Sequence, residues 1–275
     1  VDQHRFIRPA TDAFFLLGLI GHVLDKGLTK PGRLRELADD WTALEPLFDG
    51  ISLEQVSARC GIAVDEIKRI AEDFANAECA VCYGRMGVAT QSYGALNHWL
   101  MLVLNILTGN LDSPGGMMFT TPAFNKAQSR PMGSFNTYQS RARGLPEFDS
   151  YFPAVTIAEE MLTPGEGQVH GFICVAGNPV LSTPNGRQMD EALEQLEFMV
   201  SIDFYLNETS RHADIILPPT GPLEHEQYDI VYNMLAVRNL ARFSDPVFEA
   251  PEGTRCDWDI VDGLTQRIMA LKKPD

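Results

Sequence analysis

The feature that most constrains this chain is the alternation of apolar strand-like runs with helical patterns between Val169 and Leu217. Val169–Ala176 reads as a strand, Gly186–Leu196 as a helix and Phe198–Asp203 as a second strand. A short helix over Leu206–His212 and a third strand over Ala213–Leu217 follow, ended by Pro218 and Pro219. Parallel strands need a crossover, usually a helix, so such an alternation implies a parallel sheet covered by helices.

The first half carries helical periodicity. Phe14, Phe15, Leu17, Ile20 and Leu24 recur at helical spacing over Thr11–Lys26, with Thr11 or Asp12 as the cap. Ser52 and Gln55 fit a capping box that Gly61 would stop, and a further helix is expected over Val64–Ala77. Glu78–Tyr83 reads as a strand, Gly84–Gln91 as a loop and Ser92–Leu107 as a helix. From Thr108 to Pro153 Gly, Pro, Ser, Asn and Arg dominate, with little periodicity. Long irregular stretches of this kind are functional or connecting. The expected architecture is α/β, with two units whose parallel sheets are flanked by helices. Residues 1–120 would form the first unit, 121–153 a connector and 154–275 the second unit.

The formal net charge of −15 argues against nucleic acid and anionic membrane surfaces as partners, since both are held by clustered Lys and Arg. A nucleotide is still admissible, because backbone N–H groups hold pyrophosphate with little side-chain charge. No apolar run reaches the roughly 20 residues of a membrane-spanning helix. Cys79 and Cys82 form a C-x-x-C inside the apolar run CAVCY, which reads as a buried strand, and no second pair completes a zinc spacing. A reducing, cytoplasmic location and no metal held by these residues are the resulting expectations. Val1 opens the sequence just ahead of Ile7-Arg8-Pro9, which looks like the end of a strand, so the chain is expected to be part of a longer protein.

Val175–Pro179 lies where a strand ends and a helix is about to begin, the place where open α/β sheets bind ligands. Gly177 would let the backbone turn and a ligand approach. Asn178 supplies a donor and an acceptor, while Ser182, Thr183 and Asn185 are placed to cap the next helix. An ordinary strand–helix turn would look the same. Asp203 ends the next strand. Its carboxylate either accepts from the N1–H and amino edge of a guanine or caps the helix after it. Arg8–Asp12 and Gly84–Gly87 repeat the pattern in the first unit, which suggests a ligand with two nucleotide arms or two ligands. Asn207–Asp214 reads as a polar helix face. Glu224-His225-Glu226 lacks the paired histidines of a zinc protease, and no nucleophile elbow is present.

Four runs together resemble the molybdopterin oxidoreductases, the family of formate dehydrogenases, nitrate reductases and dimethyl sulfoxide reductase. They are RPATDAFFLL, YGRMGVATQSYGALNHWLMLVLNILTGNLDSPGG, GNPVLSTPN and SIDFYLNETSRHADIILPPTGPLEHE. The resemblance implies Rossmann-like units that hold two molybdopterin guanine dinucleotides chelating one molybdenum or tungsten atom. By motif it assigns cofactor contacts to Thr11, Asp12, Met86 and Thr90 in the first unit. In the second it assigns Asn178, Ile202 through its backbone, Asp203, His225 and the late Asp257. Ala10 stands where Gly or Gln is common, and His225 stands where nitrate reductases carry Lys.

The resemblance further implies a [4Fe-4S] cluster and the protein's metal ligand in an N-terminal part not included here, and a closing β-barrel after it. Those domains, and an electron-transfer subunit, are the implied partners. The chain alone is expected to be inactive. The alternative is the scaffold of a complex I-type iron–sulfur subunit that has lost its molybdenum. The Thr11, Asp12, Asn178 and Asp203 set favours the enzyme. A thiamine-diphosphate domain would leave the second half-site unexplained.

Overall fold

A computed structural model describes residues 2–37, 39–120, 122–123, 133–236, 238 and 240–272. The chain divides into two compact units, Val1–Thr120 and Thr121–Asp275.

In the first unit α1 (Asp12–Asp25) is followed by two single turns, α2 (Leu34–Leu37) and α3 (Trp41–Leu44). Then come α4 (Leu53–Cys60), α5 (Val64–Asn76), the short α6 (Met86–Ala89) and α7 (Gly94–Leu107). Helix α1 buries Ala13, Leu16, Leu19, Ile20 and Val23 against Val56 of α4, Ile67 and Ala71 of α5, and Leu100 and Leu104 of α7. The α1–α4 approach is close enough that a Cβ at Gly18 would come within 2.8 Å of Val56 Cγ1, which explains a glycine inside a helix. The expected α4 boundaries are observed: Ser52 Oγ accepts from the Gln55 N–H, and Gly61 ends the helix at φ 83°.

The first unit departs from the expected pair of sheets. Among its described residues there is no strand, and Glu78–Tyr83, expected as a buried strand, bends at Glu78 and Cys79, pairs with no strand and is largely exposed. Its backbone is held instead by two buried asparagines. The Ala80 N–H donates to Asn110 Oδ1, and the Cys82 N–H to Asn105 Oδ1, each at 3.0 Å. One strand makes no sheet, so side-chain amides occupy the place of a neighbouring strand.

The second unit has the expected parallel sheet. Strand β3 (Gly171–Val175) pairs with β4 (Phe198–Ile202), and β4 with β5 (Ile215–Ile216). Val175 lies opposite Ile202, and Ser201 opposite Ile216, so all three strands end at one edge. Helices α8 (Ile157–Leu162), α9 (Pro179–Ser182) and α10 (Gly186–Glu194) accompany the sheet, and Met161, Met189, Leu193 and Met199 form its core. The unit closes with α11 (Ile230–Met234) and α12 (Asp257–Leu271). The short helix expected over Leu206–His212 is only a 3-10 turn at Ser210–His212.

The region expected to be an irregular connector contains a hairpin, β1 (Phe135–Gln139) with β2 (Pro146–Phe148). Its buried Glu147 accepts from Ser134 Oγ and from the N–H groups of Thr137 and Tyr138. Arg141 pairs with Glu160 and Arg143 with Glu159, which fastens the hairpin to α8. Lys126 and Arg130, which by sequence join these arginines in a basic cluster, lie outside the described residues. A two-stranded ribbon, β6 (Gln227–Tyr228) with β7 (Phe243–Ser244), follows the sheet. No helix among the described residues is long and apolar enough to cross a membrane.

Candidate functional site

The parallel register of the second unit sets the candidate residues side by side at one sheet edge. Beyond β3 the chain turns sharply at Ala176, which holds φ 49° while its N–H donates to the Ile202 carbonyl at 2.9 Å. The left-handed residue is therefore Ala176 and not Gly177. Gly177 lies outside the left-handed region, and a Cβ there would meet Val175 O, Cys174 Sγ and Pro179 Cδ, none closer than 3.7 Å. Nothing in the protein's packing demands a glycine at 177.

Asn178 anchors both ends of its amide inside the protein. Its Nδ2 donates to Glu208 Oε2 at 2.8 Å, and its Oδ1 accepts from Thr209 Oγ1 at 2.7 Å. The amide holds the Glu208 carboxyl below the usual carboxylate range. The N–H groups of Gly177 and Asn178 have no acceptor among the described residues. Ser182 and Thr183, expected as caps for the next helix, turn their hydroxyls back onto the Asn178 and Pro179 carbonyls. Asn185 caps α10 through its position only, at φ 59° with no side-chain bond to the helix N–H groups.

Asp203 stands just past β4. Its Oδ1 accepts from the Tyr205 N–H and its Oδ2 from Asn207 Nδ2, both at 3.0 Å, so it organises the turn after the strand. Each oxygen keeps a lone pair for a ligand. Ile202 is buried, and its carbonyl is taken by Ala176. Beyond β5, the Thr220 N–H donates to the Arg255 carbonyl at 2.9 Å, which brings the segment before α12 against the segment after β5. There the His225 ring packs edge-on against Trp258, with centroids 4.8 Å apart. Asp257, the first residue of α12, accepts from the Trp258 N–H. His225 and Asp257 are thus neighbours through Trp258, a residue that no sequence motif marks.

The first unit gathers its own set. Thr11 precedes α1, but its hydroxyl donates to the Arg8 carbonyl at 2.6 Å and does not cap the helix. Asp12 Oδ2 accepts from Gln91 Nε2 at 2.7 Å, and Gln91 also donates to the Gly87 carbonyl at 2.6 Å. Thr90 Oγ1 donates to the Met86 carbonyl, closing the turn of α6 and leaving the Met86 side chain exposed. Beneath this turn lies Asn97, wholly buried, whose Nδ2 donates to the Val88 carbonyl while its Oδ1 has no partner among the described residues. Gly87 sits inside α6 with nothing within 4 Å of where its Cβ would be.

Residues 7–267 match the family model described as molybdopterin oxidoreductase. The chain belongs to the molybdopterin oxidoreductase family. Among curated relatives it is 25% identical to the assimilatory nitrate reductase catalytic subunit of Bacillus subtilis, over 97% of this chain and 39% of that protein. It is 24% identical to the dimethyl sulfoxide/trimethylamine N-oxide reductase of Cereibacter sphaeroides, over 95% of this chain and 34% of that protein. It is 25% identical to the alpha subunit of a formate dehydrogenase from Methanocaldococcus jannaschii, over 97% of this chain and 41% of that protein. The chain therefore spans well under half the length of these relatives. Acetylene hydratase from Pelobacter acetylenicus shares the fold, with a TM-score of 0.73 at 16% identity over 95% of this chain and 40% of that one.

The family implies a molybdopterin cofactor with molybdenum or tungsten, and the residues present fit its organic part. Gly87 has open space where a Cβ would stand, and Gly177 would make only ordinary contacts there. The donors and acceptors are amides, carboxylates and free backbone N–H groups, which suit a nucleotide or a pterin ring better than a soft metal ion.

Proposed function

We propose that this chain is the molybdopterin guanine dinucleotide-binding part of a molybdenum or tungsten oxidoreductase. The observation that carries the reading is the shared sheet edge at which the Ala176–Asn178 turn and Asp203 stand on adjacent strands. In open α/β sheets nucleotides bind outside such strand ends. The free N–H groups of Gly177 and Asn178 suit pyrophosphate oxygens, and the Asp203 carboxylate suits the two adjacent donors of guanine. His225 and Asp257, which both meet Trp258 beyond β5, would add contacts to the same cofactor arm. In the first unit Asp12, with Gln91, Met86 and Thr90, would take the other nucleotide or pterin arm.

When bound, the pterin-held metal supplies the redox change. The residues of this chain bind and orient the cofactor and exclude water from its phosphates. None of them matches the family's metal ligand or its cluster cysteines. The chain by itself is therefore expected to turn over neither formate, nitrate nor sulfoxide. The [4Fe-4S] cluster, the metal ligand, a closing domain and an electron-transfer partner belong, on this reading, to the larger assembly. The scaffold alternative gains nothing from the relatives, which are named as reductases and a dehydrogenase.

The test is analysis of the full-length protein for molybdenum, tungsten and released guanine nucleotide. About two guanines per metal atom is the expected result. Metal with no guanine would overturn the dinucleotide reading, and neither metal nor guanine would restore the scaffold.

A further inference from the structure

We propose that Thr209 and Asn207 are positioning residues that tie the Asn178 turn and the Asp203 carboxylate into one preorganised cradle for a guanosine diphosphate group. The proposal rests on the cofactor reading above and adds to it which side chains set the geometry.

Thr209 is fully buried. Its hydroxyl has one proton to give and gives it to Asn178 Oδ1 at 2.7 Å, while accepting from the Val180 N–H at 3.1 Å. The Glu208 carboxylate can only accept, so it fixes the Asn178 amide with Nδ2 toward Glu208 and leaves Oδ1 to accept from the Thr209 hydroxyl. Each end of that amide is held by one bond and keeps one N–H or one lone pair for a ligand. The turn adds its unpaired Gly177 and Asn178 N–H groups.

Asn207 carries the link onward. Its Oδ1 accepts from the N–H groups of Thr209 and Ser210 at 3.0 and 2.9 Å, and its Nδ2 donates to Asp203 Oδ2 at 3.0 Å. The Ser210 hydroxyl donates to the Tyr205 carbonyl and accepts from the Asn207 N–H, both at 2.8 Å, which keeps the loop in one shape. A continuous path of hydrogen bonds therefore runs from Asn178 through Thr209 and Asn207 to Asp203. It spans the ends of two neighbouring strands, and its two ends hold the Asn178 turn and the Asp203 carboxylate. Preorganised groups lose less freedom on binding, so such a path raises affinity without touching the ligand.

Guanosine diphosphate is the fitting probe, since it contains both the base and the pyrophosphate of the cofactor's nucleotide arm. Binding of guanosine and adenosine diphosphates to the chain is measured by calorimetry for the wild type, Thr209→Val, Thr209→Ser and Asn207→Asp. Thr209→Val removes the hydroxyl at nearly constant volume. Asn207→Asp keeps the acceptor for the Thr209 and Ser210 N–H groups but sets a carboxylate against Asp203, and it decides the matter if Thr209→Val does not fold. The wild type is expected to prefer the guanine nucleotide. Thr209→Val and Asn207→Asp should weaken guanosine diphosphate by about three- to ten-fold, the worth of one or two hydrogen bonds. They should also shrink its preference over adenosine diphosphate, and Thr209→Ser should restore both. Folded variants with unchanged affinity and preference would overturn the positioning role alone. A wild type that does not prefer guanine would bring down the guanine reading, and this proposal with it.

Discussion

Asn105 grips Cys82 with both ends of its amide: the Cys82 N–H donates to Asn105 Oδ1 at 3.0 Å, and Asn105 Nδ2 donates to the Cys82 carbonyl at 2.9 Å. The same Nδ2 donates to the Met101 carbonyl at 2.8 Å, inside α7. A fully buried side chain thereby does for Glu78–Tyr83 what a paired strand would do. Leucine at 105 would leave the Cys82 backbone groups without partners. Each buried group so orphaned costs about 1–3 kcal/mol. Asn105→Leu is expected to lower the unfolding free energy by about 2–4 kcal/mol in urea titrations. A loss under about 0.5 kcal/mol, the range of a neutral surface change, would show that the segment is held some other way.

The two cysteines of the C-x-x-C should differ in reactivity. Burial pushes the Cys82 thiol up to about 11, whereas Cys79 is exposed beside the Pro114 carbonyl. Only the thiolate is nucleophilic, so about one Cys82 in a thousand is reactive at pH 8. Alkylation with iodoacetamide, followed by mass spectrometry, is expected to label Cys79 first. Cys82 labelling should rise about ten-fold per pH unit from 8 to 10. Equal labelling at pH 8 would mean that Cys82 is far more open than its surroundings indicate.

Local patterns carry much of this structure, and long-range partners carry the rest. The extents of α1, α4 and α5 are legible in the sequence because helical periodicity marks each of them, and α4 adds the Ser52 cap. Strands β3 and β4 are legible as apolar runs ending at Ala176 and Asp203. The hairpin β1–β2 is hidden by its composition. Asn136 sits at φ 57° within β1, and the pairing is irregular between Phe135 and Gln139, so no alternation marks it. Glu78–Tyr83 has the composition of a strand, but pairing is a property of a neighbour that local pattern does not reveal. At the site, Asn178 and Asp203 are visible as strand ends. Thr209 and Asn207 have the composition of a polar helix face, which conceals their role. The signal that could reveal them is the turn chemistry of Asn207-Glu208-Thr209-Ser210 directly after a strand end.

The second unit should lose stability in acid through Asp190. Hydrogen bonds from Arg211, at 2.6 Å, and from His212, at 2.7 Å, hold its carboxyl below the usual range near 3.8. A carboxyl whose folded value is depressed stabilises the fold above its unfolded value, and that stability is lost as pH falls through the folded one. The contacts also fasten α10 to the Ser210–His212 turn. Asp190→Asn should therefore be less stable than the wild type at pH 6, with the gap closing as pH drops below about 4. Denaturant titrations at pH 3, 4, 5 and 6 measure it. A gap that does not change with pH would show that Arg211 and His212 contribute nothing through the charge.

Gly177 and Gly87 separate what the fold needs from what a ligand needs. Neither has a left-handed backbone, and an added methyl meets nothing at Gly87 and only ordinary contacts at Gly177. Gly87 lies within α6, where alanine is preferred over glycine by about 1 kcal/mol. Alanine also reduces the freedom of the unfolded chain, worth about 0.4–1 kcal/mol. Both substitutions are therefore expected to leave stability unchanged or to raise it by up to about 1 kcal/mol. On the cofactor reading the same methyl groups would stand where a nucleotide or pterin approaches the backbone. Gly177→Ala should then lower the guanine nucleotide recovered from the purified full-length protein while its melting temperature holds or rises. Gly94 supplies the contrast: a Cβ there would collide with the Ala89 carbonyl, so Gly94→Ala should destabilise the first unit outright. If Gly177→Ala retains full guanine content, the cofactor does not approach this turn at Gly177, and the phosphate contacts must be sought elsewhere on the sheet edge.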